Sequence, residues 1–233
     1  MSRLHREPMR ILIEEIVEGE IAPGEMLARE VDLAERFDVS RGVVRETIRG
    51  LEERGLVAVK HGRGATVREE AEWDVFDADV LGAMRAGPGG RQLVDDALAC
   101  RRIFEPEAAA LAAARADEGV VDELMRAQDA VAGAAARARR NDAAAQRYRE
   151  ADDAFHRAIV RASGNRVLAR MSEPLHRALA AAGAEVGDPK RRLAEHERIL
   201  GAIADGDAEG ARAAMAEHLA AGTKRPRARS GTR

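Results

Sequence analysis

Four side chains in the second half of the chain are of the types that hold a divalent metal. Asp152 and His156 stand four residues apart, on one face of one helix with about 6 Å of rise between them. His196 and His218 fall on two later helices of the same helical region. One carboxylate and up to three imidazoles suit Zn²⁺ or another divalent transition ion. On spacing alone the plainer reading leads: unrelated polar residues on a solvated bundle. His5, His61 and His176 occur without such pairing. No H-E-x-x-H occurs, and no Glu stands as an evident base beside the four. A binding site is therefore preferred to a metal-dependent hydrolase or lyase acting on an organic acid.

A second set of residues has chemistry of another kind. Arg41, Arg45 and Arg49 recur at i, i+4 and i+8. They form one stripe of a helix, apart from the apolar face of Val44, Ile48 and Leu51. Guanidinium groups fork onto guanine edges or phosphate oxygens. Ser40 opens this helix, where its hydroxyl and the first backbone N–H groups can hold a phosphate. Gly42 has no side chain and lets the backbone approach a groove. Arg63, in the turn His61-Gly62-Arg63-Gly64, is placed to enter a minor groove. A merely solvated basic face is the alternative, and the elements around the stripe decide against it.

Those elements follow from periodicity. Met9, Leu12, Ile13 and Ile16 predict a helix over 5–18, stopped by Pro23-Gly24. A second helix spans about 30–37, with its turn at Asp38. A third runs from the cap Ser40 to about Arg54 and ends at Gly55. Strands at 56–59 and 65–67 flank the Gly-rich turn. Residues 1–70 thus read as a winged helix-turn-helix DNA-binding domain of α/β type, joined through the polar stretch 68–74. Residues 71–222 read as an all-α antiparallel bundle. Its helices are expected near 91–116, 120–139, 142–163, 165–182, 188–205 and 207–221. Leu93, Ala97, Cys100, Ile103 and Phe104 are expected to face its core. Residues 223–233 hold four Arg and one Lys and read as a basic, disordered tail.

Composition sets the bounds. With 233 residues and 45% apolar content, two ordinary domains can each bury a core. Aromatics are 3%, too few for the stacking platforms of a single-strand binder. The net charge of −3 argues against nucleic acid as a partner until the charges are located. Many acids of the first domain fall at Glu14, Glu15, Glu18 and across 20–35, while the recognition stripe is basic except for Glu46. The single cysteine cannot form an internal disulfide, so a reducing cytoplasm is expected. The polar start and the absence of an 18-residue apolar run predict neither a secretion signal nor a membrane span.

The stretch from Ile16 to Val67, with D-L-A-E-R-F-D-V-S-R-G-V-V-R-E-T-I-R-G-L-E-E-R-G-L-V and H-G-R-G-A-T-V, resembles the DNA-binding domain of GntR-family transcription regulators. The resemblance implies operator contacts from Ser40, Arg41, Gly42 and Arg45, and from a wing glycine at Gly62 or Gly64. One departure stands out. The family's Ser-Glu-Arg at the start of the second helix is Arg29-Glu30-Val31 here. Val31 cannot make the family's Arg contact, and Arg29 is the candidate replacement. The segments R-R-I-F-E-P-E, D-D-A-F-H-R-A-I-V-R-A-S-G-N and E-H-E-R-I-L-G-A-I-A-D-G-D-A-E-G-A-R-A-A-M-A-E-H-L resemble the FCD-type effector domain of the FadR subfamily. This implies that Asp152, His156, His196 and His218 are metal ligands, with Zn²⁺ the first candidate. It also implies a small carboxylate effector, with Arg101 as its second positive partner or, alternatively, in a salt bridge with Glu105. W-D-V-F-D-A-D-V-L is similar to the linker of sugar-acid regulators, so a sugar acid is the first expectation. A homodimer on palindromic double-stranded operator DNA, in most relatives a repressor, completes the expectation. A helical interaction protein with a degenerate DNA module is the further alternative.

Overall fold

The computed structural model describes residues 6–60, 62–181 and 188–221. His5, His61 and the tail expected over 223–233 lie outside the described residues. The chain divides between Val94 and Asp95 into two compact units.

The first unit opens with α1 (Arg6–Glu18), whose Met9, Leu12, Ile13 and Ile16 are buried together. α2 (Glu30–Arg36) and α3 (Arg41–Glu53) follow. Asp38 takes φ 50 between them, the left-handed turn that ends a helix and that Asp tolerates better than most residues. Ser40 caps α3 by accepting from Val43 N at 3.4 Å. Val44 and Leu51 are buried, Ile48 is half-buried, and Thr47 joins them by donating to Val43 O. Gly50 lies against Met9: a β-carbon there would stand 2.3 Å from its Cε, so the Met9 side chain would have to shift.

β1 (Val57–Lys60) and β2 (Gly64–Val67) pair antiparallel with Lys60 opposite Gly64, one residue later than the apolar pattern places the first strand. Gly62 at φ 73 and Gly64 at φ 90 shape the tip. The extended chain at 24–27 lies against the other edge of β2: Leu27 N donates to Ala65 O at 2.8 Å and Val67 N to Glu25 O at 2.8 Å. The wing is therefore broader than the predicted hairpin.

The chain then turns back. Trp73 buries its ring and donates to Arg68 O, and α4 (Ala78–Ala86), capped by Asp77, packs on α1, with Val80 in the same core. Residues after 70 thus complete the first core, where the sequence pattern places the start of the bundle.

The second unit holds most of α5 (Gly90–Ala113), then α6 (Glu118–Ala135), α7 (Asp142–Ala162), α8 (Arg166–Ala181), α9 (Pro189–Ala204) and α10 (Ala208–Ala221). Asp117, Asn141 and Asp188 cap α6, α7 and α9, and Asn165 caps the start of α8 by accepting from Leu168 N. Helix α7 packs between α6 and α8, and α9 against α6 and α10. The core gathers Leu124, Val131, Phe155, Ile159, Ile199, Ile203 and Met215.

One expected face is corrected. Ile103 is 75% exposed and Cys100 is exposed. The buried face of α5 is Ala97, Arg101, Glu105, Ala109 and Ala112. An ion pair points inward there, rotating the helix away from the orientation that its apolar residues alone would choose.

Candidate metal centre and nucleic-acid interface

The three histidines converge. His156 on α7, His196 on α9 and His218 on α10 are each fully buried, and their ligand atoms lie within 4.8 Å of one another. Each is oriented through its Nδ1. His156 Nδ1 meets Glu105 Oε2 at 2.7 Å, His218 Nδ1 meets Glu195 Oε2 at 2.8 Å, and His196 Nδ1 meets Gln128 Oε1 at 3.0 Å. Gln128 in turn donates from Nε2 to Leu193 O at 3.3 Å. A carboxylate or an amide oxygen accepts, so each imidazole donates from Nδ1. The Phe155 ring stacks on His196 with centroids 4.0 Å apart.

The consequence is at Nε2. Burial, the largest cause, pushes all three histidines below their ordinary pKa, His196 to about 4. Arg101 lowers His156 further and Arg192 lowers all three. A neutral imidazole that donates from Nδ1 bears a bare lone pair on Nε2. His156 Nε2 and His218 Nε2 stand 3.1 Å apart with no proton to share, and His196 Nε2 is buried with no hydrogen-bond partner. Three converging lone pairs repel one another and leave a buried acceptor unsatisfied; a cation resolves both. Imidazoles tied through Nδ1 to carboxylates and an amide have the support that metal-ligating histidines carry. The residues present fit a divalent transition ion.

Asp152 is near but differently engaged. Its Oδ1 is 3.5 Å from His196 Nε2 and its Oδ2 is 3.8 Å from His156 Nε2. Both oxygens accept from Arg192, Oδ1 from Nε at 3.1 Å and Oδ2 from Nη2 at 3.0 Å. Burial alone would raise the Asp152 pKa, but Arg192 and then His156 and His196 hold it below the usual carboxylate range. Arg101, the expected effector contact, is buried and paired with Glu105, Nε to Oε1 at 2.5 Å and Nη2 to Oε2 at 3.2 Å.

Several neighbours of the three histidines were not singled out by the sequence: Glu195 and Gln128 hold His218 and His196, and Arg192 holds Asp152. Glu105, expected only as a partner of Arg101, also holds His156. His176, which has no acid four residues away in sequence, is fully buried on α8 with Nδ1 2.8 Å from Asp153 Oδ1. Arg192 lies one helical turn before His196, so its face was legible, and Glu195 is adjacent to that ligand. Gln128 carried no signal, because only the packing of α6 on α9 brings it there.

The first unit presents its arginines outward. Arg41, Gly42, Arg45, Arg49, Gly62, Arg63 and Gly64 are exposed. Arg45 pairs with Glu30 at 2.8 Å and Arg49 with Glu53 at 3.2 Å. Arg29 is exposed and forks onto Asp32. Arg41 and Arg63 meet no acid within ion-pair distance among the described residues. Exposed pairs of this kind are worth about 0–1 kcal/mol and yield readily to a phosphate. Arg29 stands at the N-cap of α2 without a side-chain cap bond, as expected where the family's Ser is missing.

A winged helix-turn-helix followed by an all-helical unit with a buried histidine cluster is the plan of a DNA-binding transcription regulator. The chain belongs to the GntR family of bacterial regulatory proteins: residues 9–67 match that family's domain and residues 96–221 match the FCD domain. It is 32% identical over 213 residues to the HTH-type transcriptional regulator LutR of Bacillus subtilis (strain 168), covering 88% of this chain and 92% of that one. It is 35% identical over 102 residues to the galactonate operon transcriptional repressor of Escherichia coli (strain K12), and 34% identical over 102 residues to YieP of the same strain. Each of these two matches covers 44% of this chain and 44% of the relative, so it spans less than half of that protein. Among solved structures, a Streptococcus agalactiae GntR protein superposes with a TM-score of 0.53 at 24% identity, covering 93% of this chain and 98% of the other. The Lar regulator of Listeria monocytogenes superposes with 0.60 at 22% identity, covering 95% of each. These two likenesses show the fold. The hydrolase or lyase reading finds no support in the family or its members. No helix among the described residues is long and apolar enough to cross a membrane.

Proposed function

We propose that this regulator binds a palindromic operator as a homodimer in the cytoplasm and represses until a small organic acid binds at a metal in its helical unit. The observation that carries the metal is the convergence of three Nε2 lone pairs, each imidazole fixed through Nδ1. His156, His196 and His218 would hold the ion, Zn²⁺ first, with Asp152 as the neighbouring carboxylate. Bound there, the ion supplies positive charge for a carboxylate ligand. The buried arginines Arg192 and Arg101 are the candidates for a further positive partner. A sugar acid is favoured as the effector by the linker W-D-V-F-D-A-D-V-L and by the galactonate repressor among the relatives.

On the DNA side, Ser40, Arg41, Gly42 and Arg45 meet the major groove, Arg49 the backbone, and Gly62, Arg63 and Gly64 the minor groove, with Arg29 beside Val31 as a phosphate contact. Fluorescence anisotropy on a palindromic duplex obtained by selection tests this half. Arg45→Ala is expected to lose at least tenfold in affinity at moderate salt, about 1–3 kcal/mol for a bidentate base contact. Undiminished affinity in that variant would remove α3 from the role of recognition helix.

A further inference from the structure

The carboxylates around the three imidazoles are already matched by arginines. Glu105 pairs with Arg101 at 2.5 Å, Glu195 with Arg191 at 2.7 Å, Asp153 with Arg157 at 3.8 Å and Asp152 with Arg192 at 3.0 Å. With neutral imidazoles the cluster is balanced before any metal arrives. Of these four, the Arg192–Asp152 pair is the one that reaches the Nε2 atoms of His156 and His196. The Arg192 guanidinium forks onto both oxygens of Asp152, and its Nη2 stands 3.5 Å from His156 Nε2. It therefore uses donor atoms that a metal ion would need.

We infer that Arg192 is a removable counter-cation: it neutralises Asp152 in the metal-free domain, gives Asp152 up when the metal binds, and then holds the carboxylate of the effector. This rests on the metal site proposed above and names the residue that links metal occupancy to acid binding. The physical reason is charge. Arg192 is 8% exposed, and a buried guanidinium that loses its carboxylate to a metal must find another anion. Arg101 cannot take this part as readily. Its partner Glu105 is fully buried and also orients His156, so releasing it would leave a carboxylate unpaired and a ligand untethered. Arg192 touches the ligand set at the Asp152 carboxylate and at His156 Nε2, the donor atoms that the metal would take over.

The test is competitive titration of chelator-stripped full-length protein with Zn²⁺ against a chromophoric chelator. Arg192→Met removes the competitor, so its Zn²⁺ affinity is expected to rise at least tenfold over native, with Arg192→Lys in between because an ammonium cannot fork onto both oxygens. Acetate serves as a minimal carboxylate probe. At tens of millimolar it is expected to raise the thermal midpoint of zinc-loaded native protein, and not that of stripped native protein or zinc-loaded Arg192→Met. Should Arg192→Met fold only with zinc present, Arg192→Lys carries the affinity comparison. Zinc binding by native protein with no tightening in either variant, or an acetate response kept in Arg192→Met, would overturn the inference while leaving the metal site standing. Native zinc affinity no greater than that of His156→Ala would overturn the site and the inference together.

Discussion

At the scale of single residues, the candidate metal centre is a problem of proton placement. Three acceptors, Glu105, Glu195 and Gln128, fix three Nδ1–H groups and so bare three Nε2 lone pairs. Each anchor should therefore matter nearly as much as a ligand. Gln128→Leu keeps the volume, removes the acceptor for His196, and is expected to weaken Zn²⁺ binding 10–100-fold, read by the same chelator competition. The depressed histidine pKa values give a second consequence. In metal-stripped protein the unfolded chain binds protons at these sites below about pH 6.5, whereas folded His196 resists until about pH 4. Unfolded protein binds more protons across that window, so stability must fall as pH falls through it, by about 3 kcal/mol from His196 alone. Urea denaturation of stripped protein at pH 7.5 and 5 captures about 2 kcal/mol of this; equal midpoints would show that the histidines are not held neutral. The sequence displayed Asp152 and His156 as a one-turn pair with His196 and His218 on two later helices, and only the resemblance joined the four into one site. It gave no sign of Gln128, whose role exists only where two distant helices meet.

At the scale of elements, the pattern of apolar residues located nearly every helix, and missed where polar groups are buried for a purpose. Helix α5 is the plainest case. Its inward face carries the Arg101–Glu105 pair, so Ile103 is turned to the surface against its hydropathy. Helix α4, capped by Asp77 and followed by the Gly-rich stretch 87–90, was not anticipated from the sequence. The wing shows what a glycine can determine. Gly55 has φ 72, and a β-carbon there would stand 2.3 Å from the Glu72 carbonyl oxygen, where the chain leaving the wing folds back over the end of α3. Gly55→Ala is expected to destabilise the first unit by about 2 kcal/mol or more, lowering its thermal midpoint by several degrees. An unchanged midpoint would mean that this crossing is looser than described.

At the scale of the whole molecule, a net charge of −3 coexists with DNA binding because charge is distributed by face. Arg29, Arg45 and Arg49 each carry an acidic neighbour in the free protein, and those exposed pairs cost little to exchange for phosphates. The sequence also suggested two domains meeting near residue 70, yet the first core continues through Trp73 and Val80 and the compact units divide at Val94. The texture of composition marks where strands stop and helices begin; it does not mark which core a helix joins. The central claim is that the buried cluster of the second unit governs the DNA affinity of the first. Its most direct test is the affinity of zinc-loaded protein for the selected duplex, with and without each of a panel of sugar acids, for native protein beside His156→Ala. At least one acid is expected to weaken native binding tenfold or more and to leave the variant unmoved. A variant that responds as native does, or a native protein indifferent to the whole panel, would contradict the account.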